Sequence, residues 1–451
     1  MTRIKKRKKM KIQLKEHFTY KKLIRFSLPS IGMMVFTSVY GVVDGYFVSN
    51  FAGKTQFAGL NFIFPYIMIL GALGFMIGTG GTALIGKTLG EGKREEANKI
   101  FSFLIYFSLI AGTVIGVIGF FTVKPVALLL GADADMAEIC MIYGRICMLG
   151  MPAFMLQFEF QSLFVAAEKP QLGLYVTVGS GVMNMALDAL LVGAFRLGVG
   201  GAASATVASQ IVGGFVPVVY FLCKNKSLLR LGKTAFMGKT LLRVLGNGFS
   251  EFVSNISSSV VGMVYNFQLM KYAGEDGVAA YGVLMYVCFV FVSIYIGYSV
   301  GVAPVISYHY GAQNRDELKS LRKKSLVLIF IFAAVMLVAG ESLAYPLSYL
   351  FTGYDENLMN LTARAFFIFS FSFLFSALPI FGSSFFTALN DGFTSAAISF
   401  LRTAVFQIGA VLLLPLAFKV DGIWYSLVFA EVTASAVAAV LLLVNRKKYG
   451  Y

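Results

Sequence analysis

Six ionisable side chains stand well inside long apolar runs of the 451-residue chain: Asp44, Glu159, Asp188, Glu251, Arg402 and Glu431. Holding such a group in hydrocarbon costs on the order of several kcal/mol, so each marks a candidate site. Asp188 sits in GVMNMALDALLV, with Asn184 one helical turn earlier. That i, i+4 spacing puts an amide and a carboxylate on one helix face. Asp44, in TSVYGVVDGYFVSN, has Tyr40 at the same spacing and Thr37 about a turn before that. Thr206 and Gln210 repeat the polar spacing on a further helix. Two carboxylates with amide and hydroxyl oxygens can hold Na⁺. Alternatively, one buried carboxylate can carry H⁺, because desolvation favours the neutral form. The competing reading is that these polar groups join neighbouring helices by hydrogen bonds.

The other charges are less suggestive. Glu251 opens an apolar run among Asn and Ser, in NGFSEFVSNISSSV, and can line a cavity mouth. With Thr37, Tyr40 and Gln210 it makes a candidate substrate wall. Glu159 lies between Gln157 and Gln161, and side chains two apart on a helix face different ways. Arg402 and Glu431 suit a structural ion pair between helices. Arg145, Glu341 and Arg364 fall near run ends, where long side chains reach the interface. Pro29 lies about four turns before Asp44; a helix proline removes a hydrogen bond and permits a bend that could shift Asp44.

Enzyme chemistry finds little support. There are 2 histidines, no HExxH and no nucleophile elbow. The four cysteines form no CxxC pair and suit apolar packing. Gly81–Thr88, GTALIGKT, matches the pattern of a phosphate-binding loop. Such a loop needs a strand before it and a helix after it. Here it closes an apolar span instead, so energy comes from an ion gradient or transport is passive. No cofactor is expected beyond H⁺ or Na⁺ as a coupling ion.

The elements that must position these residues are membrane helices. The chain is 58% hydrophobic and 13% charged, against about 45–50% and 25% in soluble domains. Mean hydropathy is +0.77. Twelve runs can cross a bilayer, near 24–48, 57–86, 99–123, 140–165, 172–195, 199–223, 244–270, 278–308, 325–345, 360–388, 395–418 and 422–445. The net charge of +16 is not a nucleic-acid face. With the N-terminus assigned inside, the tail, the even-numbered loops and the C-terminal residues hold 30 of the 38 Lys and Arg. That asymmetry puts both termini in the cytoplasm. Residues 1–23 read as a disordered basic tail that touches anionic lipid.

The halves resemble each other at a shift of 221–222 residues. GTGGTALIGKTLGEGKREEA (78–97) aligns with SVGVAPVISYHYGAQNRDEL (299–318), matching Gly80 to Gly301, Gly90 to Gly311 and Glu96 to Glu317. The phosphate-loop residues are not repeated. Six spans per half give a parallel repeat, an arrangement that places substrate near the midplane between halves. The expected division is an N-lobe (24–223), a linker (224–243), a C-lobe (244–445) and a cytoplasmic end (446–451). At the repeat shift Asp44 falls on Tyr265 and Asp188 on Ala410, so coupling belongs to the N-lobe.

These stretches together resemble the multidrug and toxic compound extrusion (MATE) family over residues 20–445. The features are LPSIGMMVFTSVYGVVDGYFVSNFAG, NMALDALLV, GAASATVASQ, GVAAYGVLMYVCFVF and GYSVGVAPVISYHYGAQN, the last being similar to a MepA-like bacterial branch. The resemblance implies an all-α membrane protein whose two six-helix lobes form a V. It implies export of cationic or amphipathic organic compounds by alternating access, in exchange for H⁺ or Na⁺, across a bacterial inner membrane. Asp44, Asn184, Asp188 and Thr206 match the family's cation-holding positions, which would be where Na⁺ binds. Tyr40 matches a tyrosine beside them, and Pro29 a bending proline. Gln161 is the nearest match to a fourth-span asparagine, and the C-lobe carboxylate cluster of NorM-like members is not evident. A flippase for lipid-linked sugars is the alternative within the same superfamily. A monomer suffices for either.

Overall fold

A computed structural model describes residues 12–353 and 355–451 and is helical almost throughout. Among the described residues nine helices are long and apolar enough to cross a membrane, and one bent pair adds a tenth. One of the nine, Gly238–Gly311, has 74 residues, about 110 Å if straight and far longer than a bilayer is thick. It breaks at Gly274, whose φ of 62° is left-handed. A second, Gly392–Val444, breaks at Lys419 (φ 50°). Taken as two spans each, they complete the twelve.

The spans are α1 (Tyr20–Phe47), α2 (Lys54–Gly90), α3 (Arg94–Leu129), α4 in two pieces (Ala134–Leu149 and Met151–Ala166), α5 (Pro170–Asp188), α6 (Gly198–Leu222), α7 (238–273), α8 (275–311), α9 (Arg315–Thr352), α10 (Glu356–Ala388), α11 (392–418) and α12 (420–444). Side chains cap several starts: Thr19 accepts from the Lys22 N–H, Asp133 from Met136 and Asn314 from Glu317. α4 departs from the single straight run expected for it, bending by 61° at Gly150. α7 begins at Gly238, inside the stretch assigned to the linker.

Helices α1–α6 pack together, as do α7–α12, and the lobes meet mainly through α1 and α2 against α7 and α8. That junction lies at the end of the bundle carrying most of the basic residues, called here the basic face. It is built on glycine. A Cβ on Gly80 would lie 2.1 Å from the Val244 carbonyl oxygen, and one on Gly248 would lie 1.9 Å from that of Met76. The pair matched by the repeat behaves reciprocally: Gly90 packs on the Tyr308 carbonyl and Gly311 on that of Lys87. Backbone meets backbone here, leaving no room for a side chain. Towards the opposite end, Gly262 and Gly282 have no such neighbour within 4 Å.

The expected disordered tail needs correction where it is described. Residues 1–11 lie outside the described residues. From Leu14 to Phe18 the chain is docked on the basic face, with both of these side chains buried. The Phe18 N–H donates to Glu317 Oε1 at 2.9 Å, His17 Nδ1 lies 2.5 Å from Glu317 Oε2, and Lys324 Nζ donates to the Phe18 carbonyl at 2.5 Å. The Leu14 N–H donates to Glu168 of the N-lobe at 2.9 Å. The segment before α1 therefore lies across the start of α9. The segment before α7 lies correspondingly across α3: Arg94 donates to the Leu228 carbonyl, and the Gly232 N–H to Ser102 Oγ.

Candidate functional site

Asp44 and Asp188 come from different helices and face one another inside the N-lobe. Each stands beside a π-helical turn: Val48–Ala52 continues α1, and Ala189–Ala194 continues α5 from Asp188 itself. Such widened turns are often found at functional sites. Asp188 is fully buried and Asn184 nearly so. Asp44 Oδ1, both Asp188 carboxylate oxygens and Asn184 Oδ1 are buried without a hydrogen-bond donor. Four such acceptors in one place are expensive unless a proton or cation satisfies them. Among the described residues no group of three His, Cys, Asp or Glu is arranged to hold a metal ion. The unpartnered atoms are hard oxygens, from two carboxyls and one amide.

The helix faces are fixed by neighbouring polar groups. Ser180, Asn184 and Asp188 recur every fourth residue on α5. Ser180 Oγ donates to the Ser209 carbonyl of α6 at 2.9 Å, and Ser209 Oγ to that of Thr206 at 2.7 Å. The Asn184–Asp188 stripe therefore shares its face of α5 with a contact to the Thr206–Gln210 segment. Thr206 is half-buried and Gln210 buried. Tyr40 is half-buried beside Phe36, and Thr37 Oγ1 donates to the Met33 carbonyl at 2.8 Å. α1 runs unbroken through Pro29, which is buried.

Three wall residues escaped the sequence reading. Gln157, not Gln161, is the fourth-span amide within reach of Tyr40, and its Nε2 lies 3.4 Å from Ser180 Oγ. Gln161, one turn on, is buried with Nε2 unpartnered. Tyr143, buried on the first piece of α4, lies within electrostatic reach of both aspartates. Tyr286 comes from the other lobe: its hydroxyl would be 3.3 Å from a Cβ on Gly45, next to Asp44. Spacing could not reveal these three, because each depends on how separate helices cross.

The remaining charges lie elsewhere. Glu251 is half-buried on α7 and makes no side-chain hydrogen bond among the described residues, its carbonyl accepting from Asn255. Glu159 is fully buried, with both oxygens unpartnered, where α4 backs onto Gly78. Arg364 pairs with Asp421 at 2.6 Å, and Arg145 stacks on Phe120. Arg402, in the π-helical turn Leu401–Gln407, holds Glu431 through contacts of 3.0, 2.9 and 2.7 Å. Arg402→Leu alone should destabilise the protein by about 3 kcal/mol, because it strands the buried Glu431 carboxylate. Pairing it with Glu431→Leu should recover most of that loss, read as the melting temperature in detergent. A double variant no more stable than the single one would show that the two side chains do not act as a pair.

The repeat that frames this site decides the family. The MatE family model matches twice, over residues 29–190 and 252–413. The chain belongs to the MatE family. It is therefore a secondary transporter, not an enzyme. The curated relatives it resembles include the multidrug export protein MepA of Staphylococcus saprophyticus, 26% identical over 424 residues, covering 94% of this chain and 93% of that one. MepA of Staphylococcus haemolyticus is likewise 26% identical, over 428 residues with the same coverage. Among solved structures, a MATE in complex with MaL6 superposes with a TM-score of 0.91 at 20% identity, covering 96% of this chain and 98% of that one. The shared fold is that of MatE transporters.

Proposed function

We propose that this MatE transporter exports cationic, amphipathic organic compounds by alternating access, in exchange for H⁺ or Na⁺ at Asp44 and Asp188. The observation that carries the reading is the buried pair of carboxyls with unsatisfied oxygens, set in one lobe beside a tyrosine of the other. An ion bound there alters the fit of α1 against α8, which is where the lobes touch. Relatives named multidrug export proteins support the substrate class. The basic face is cytoplasmic on this reading, with both termini inside a bacterial inner membrane and a single chain sufficient. The glycine junction then closes the cytoplasmic side. A lipid-linked sugar flippase would need free guanidinium groups deep within the spans to hold phosphate. Arg402 is spent on Glu431.

The test is ethidium efflux by the protein in proteoliposomes, with a pH gradient and a Na⁺ gradient imposed separately. Uphill export under one gradient is expected, and the effective gradient names the ion. No uphill movement under either would overturn the antiport mechanism.

A further inference from the structure

A cavity of about 460 Å³ opens beside α9 at the basic face. Its lining reads in order of depth. Lys319, Arg322 and Lys323 recur at i, i+3 and i+4, and Leu326, Val327 and Phe330 continue the same stripe a turn deeper. Arg446, at the start of the last short helix, closes the opposite wall. Four cations thus stand over three apolar side chains.

The cations lack counter-charges. Among the described residues Arg322, Lys323 and Arg446 form no ion pair, and Lys319 reaches only the exposed Asp316, at 3.9 Å. Arg322 Nε is buried without an acceptor, and its guanidinium lies over the Tyr451 ring at 5.1 Å. Arg446 adds a like charge beside it. The nearby carboxylates are engaged elsewhere: Glu317 by His17 and Phe18, Asp391 by Thr394, Tyr449 and Lys448. Two guanidinium groups held together without an anion are costly, and a guanidinium fork matches phosphate oxygens.

We propose that this groove binds one anionic phospholipid from the leaflet at the basic face. Its phosphodiester is held by Arg322 and Arg446, with Lys319 and Lys323 at the rim. One acyl chain lies along Leu326, Val327 and Phe330. The apolar half of the groove selects a lipid over a soluble phosphate, and basic pockets suit such headgroups. The bound lipid ties α9 to the last short helix.

Native mass spectrometry of the full chain tests this, with phosphatidylglycerol and phosphatidylcholine added separately to delipidated protein. Retention of one phosphatidylglycerol, and no phosphatidylcholine, is expected. Arg322→Gln with Arg446→Gln should weaken retention by about 25-fold, at roughly fivefold for each basic residue lost. Lys319→Gln with Lys323→Gln, at exposed positions that leave the fold alone, should weaken it by a smaller factor. Lys224→Gln with Lys226→Gln removes equal charge from the linker and should change nothing. Equal retention by all variants, or equal uptake of both lipids, overturns the site. Displacement of the lipid by inorganic phosphate overturns the lipid in favour of a soluble anion.

Discussion

Asp188→Asn is expected to reduce gradient-driven efflux to background while leaving a folded, membrane-inserted protein. The side chain keeps its shape, and its oxygens have no hydrogen-bond donor to lose. What disappears is the capacity to take up a proton, or one of two charges facing a cation. A contact to a charged group contributes about 1.5–3 kcal/mol, so Na⁺ affinity would fall by roughly 10- to 150-fold. Asp44→Asn should behave alike, because the two carboxyls act on the same ion. Efflux in proteoliposomes, with cation binding measured by calorimetry, separates the cases. Loss of efflux with unchanged ion binding would place coupling elsewhere, and Glu159 would become the next carboxyl to test. Asn184→Ala, which removes one neutral oxygen, should cost less than either.

The second large effect concerns the junction. Gly80→Ala puts a methyl 2.1 Å from a carbonyl oxygen that belongs to backbone and cannot rotate away. Ordinary contact is about 3.4 Å, so the lobes must part by more than 1 Å. Overpacking of this kind costs about 1–3 kcal/mol, which moves a two-state equilibrium by roughly 5- to 150-fold. Gly80→Ala should therefore hold the basic face unsealed and slow efflux strongly. The seal can be read with Ser307→Cys, buried opposite Gly86, in a background lacking the exposed Cys223. The reporter should resist a membrane-impermeant thiol reagent in the parent and react in the Gly80→Ala variant. Gly262→Ala, with open space around it, is the control. Normal efflux and a protected cysteine in Gly80→Ala would show that the junction yields elsewhere.

What could be read from the sequence follows from what one dimension preserves. Apolar run length survives in a sequence, so most spans were legible to within a few residues; α9 was read ten residues short at its start, because its first turns carry Lys319, Arg322, Lys323 and Lys324. Repetition survives too, so Gly90 and Gly311 could be matched before their reciprocal contacts were known. The i, i+4 stripe from Asn184 to Asp188 needs only a helix, and it could be read directly. Crossings between helices leave no such trace. Gln157 and Gln161 lie on the same helix four residues apart, and only the bend at Gly150 and the packing on α5 bring the first towards Tyr40. The docked segment before α1 was misread because its charge dominates its composition. The signal lay in Leu14 and Phe18, two apolar residues four positions apart where the basic run has thinned to Lys15. His17 with Glu317 and Arg402 with Glu431 show the same division: the second pair was suspected from two stranded opposite charges, whereas the first spans 300 positions.

The segments that precede α1 and α7 each lie across the third helix of a lobe, α9 in one case and α3 in the other. Each half of the molecule thus begins with a piece of covering that finishes a surface beyond its own first helix. The stretch before α1 shields part of the C-lobe, and Glu168 anchors it to the N-lobe. The internal symmetry is therefore not that of two self-sufficient bundles joined by a string. Cut between the repeats, the C-terminal fragment would carry a bare groove where Leu14 and Phe18 now sit. A duplicated ancestor with this habit would have gained, on fusion, halves that wrap each other's edges.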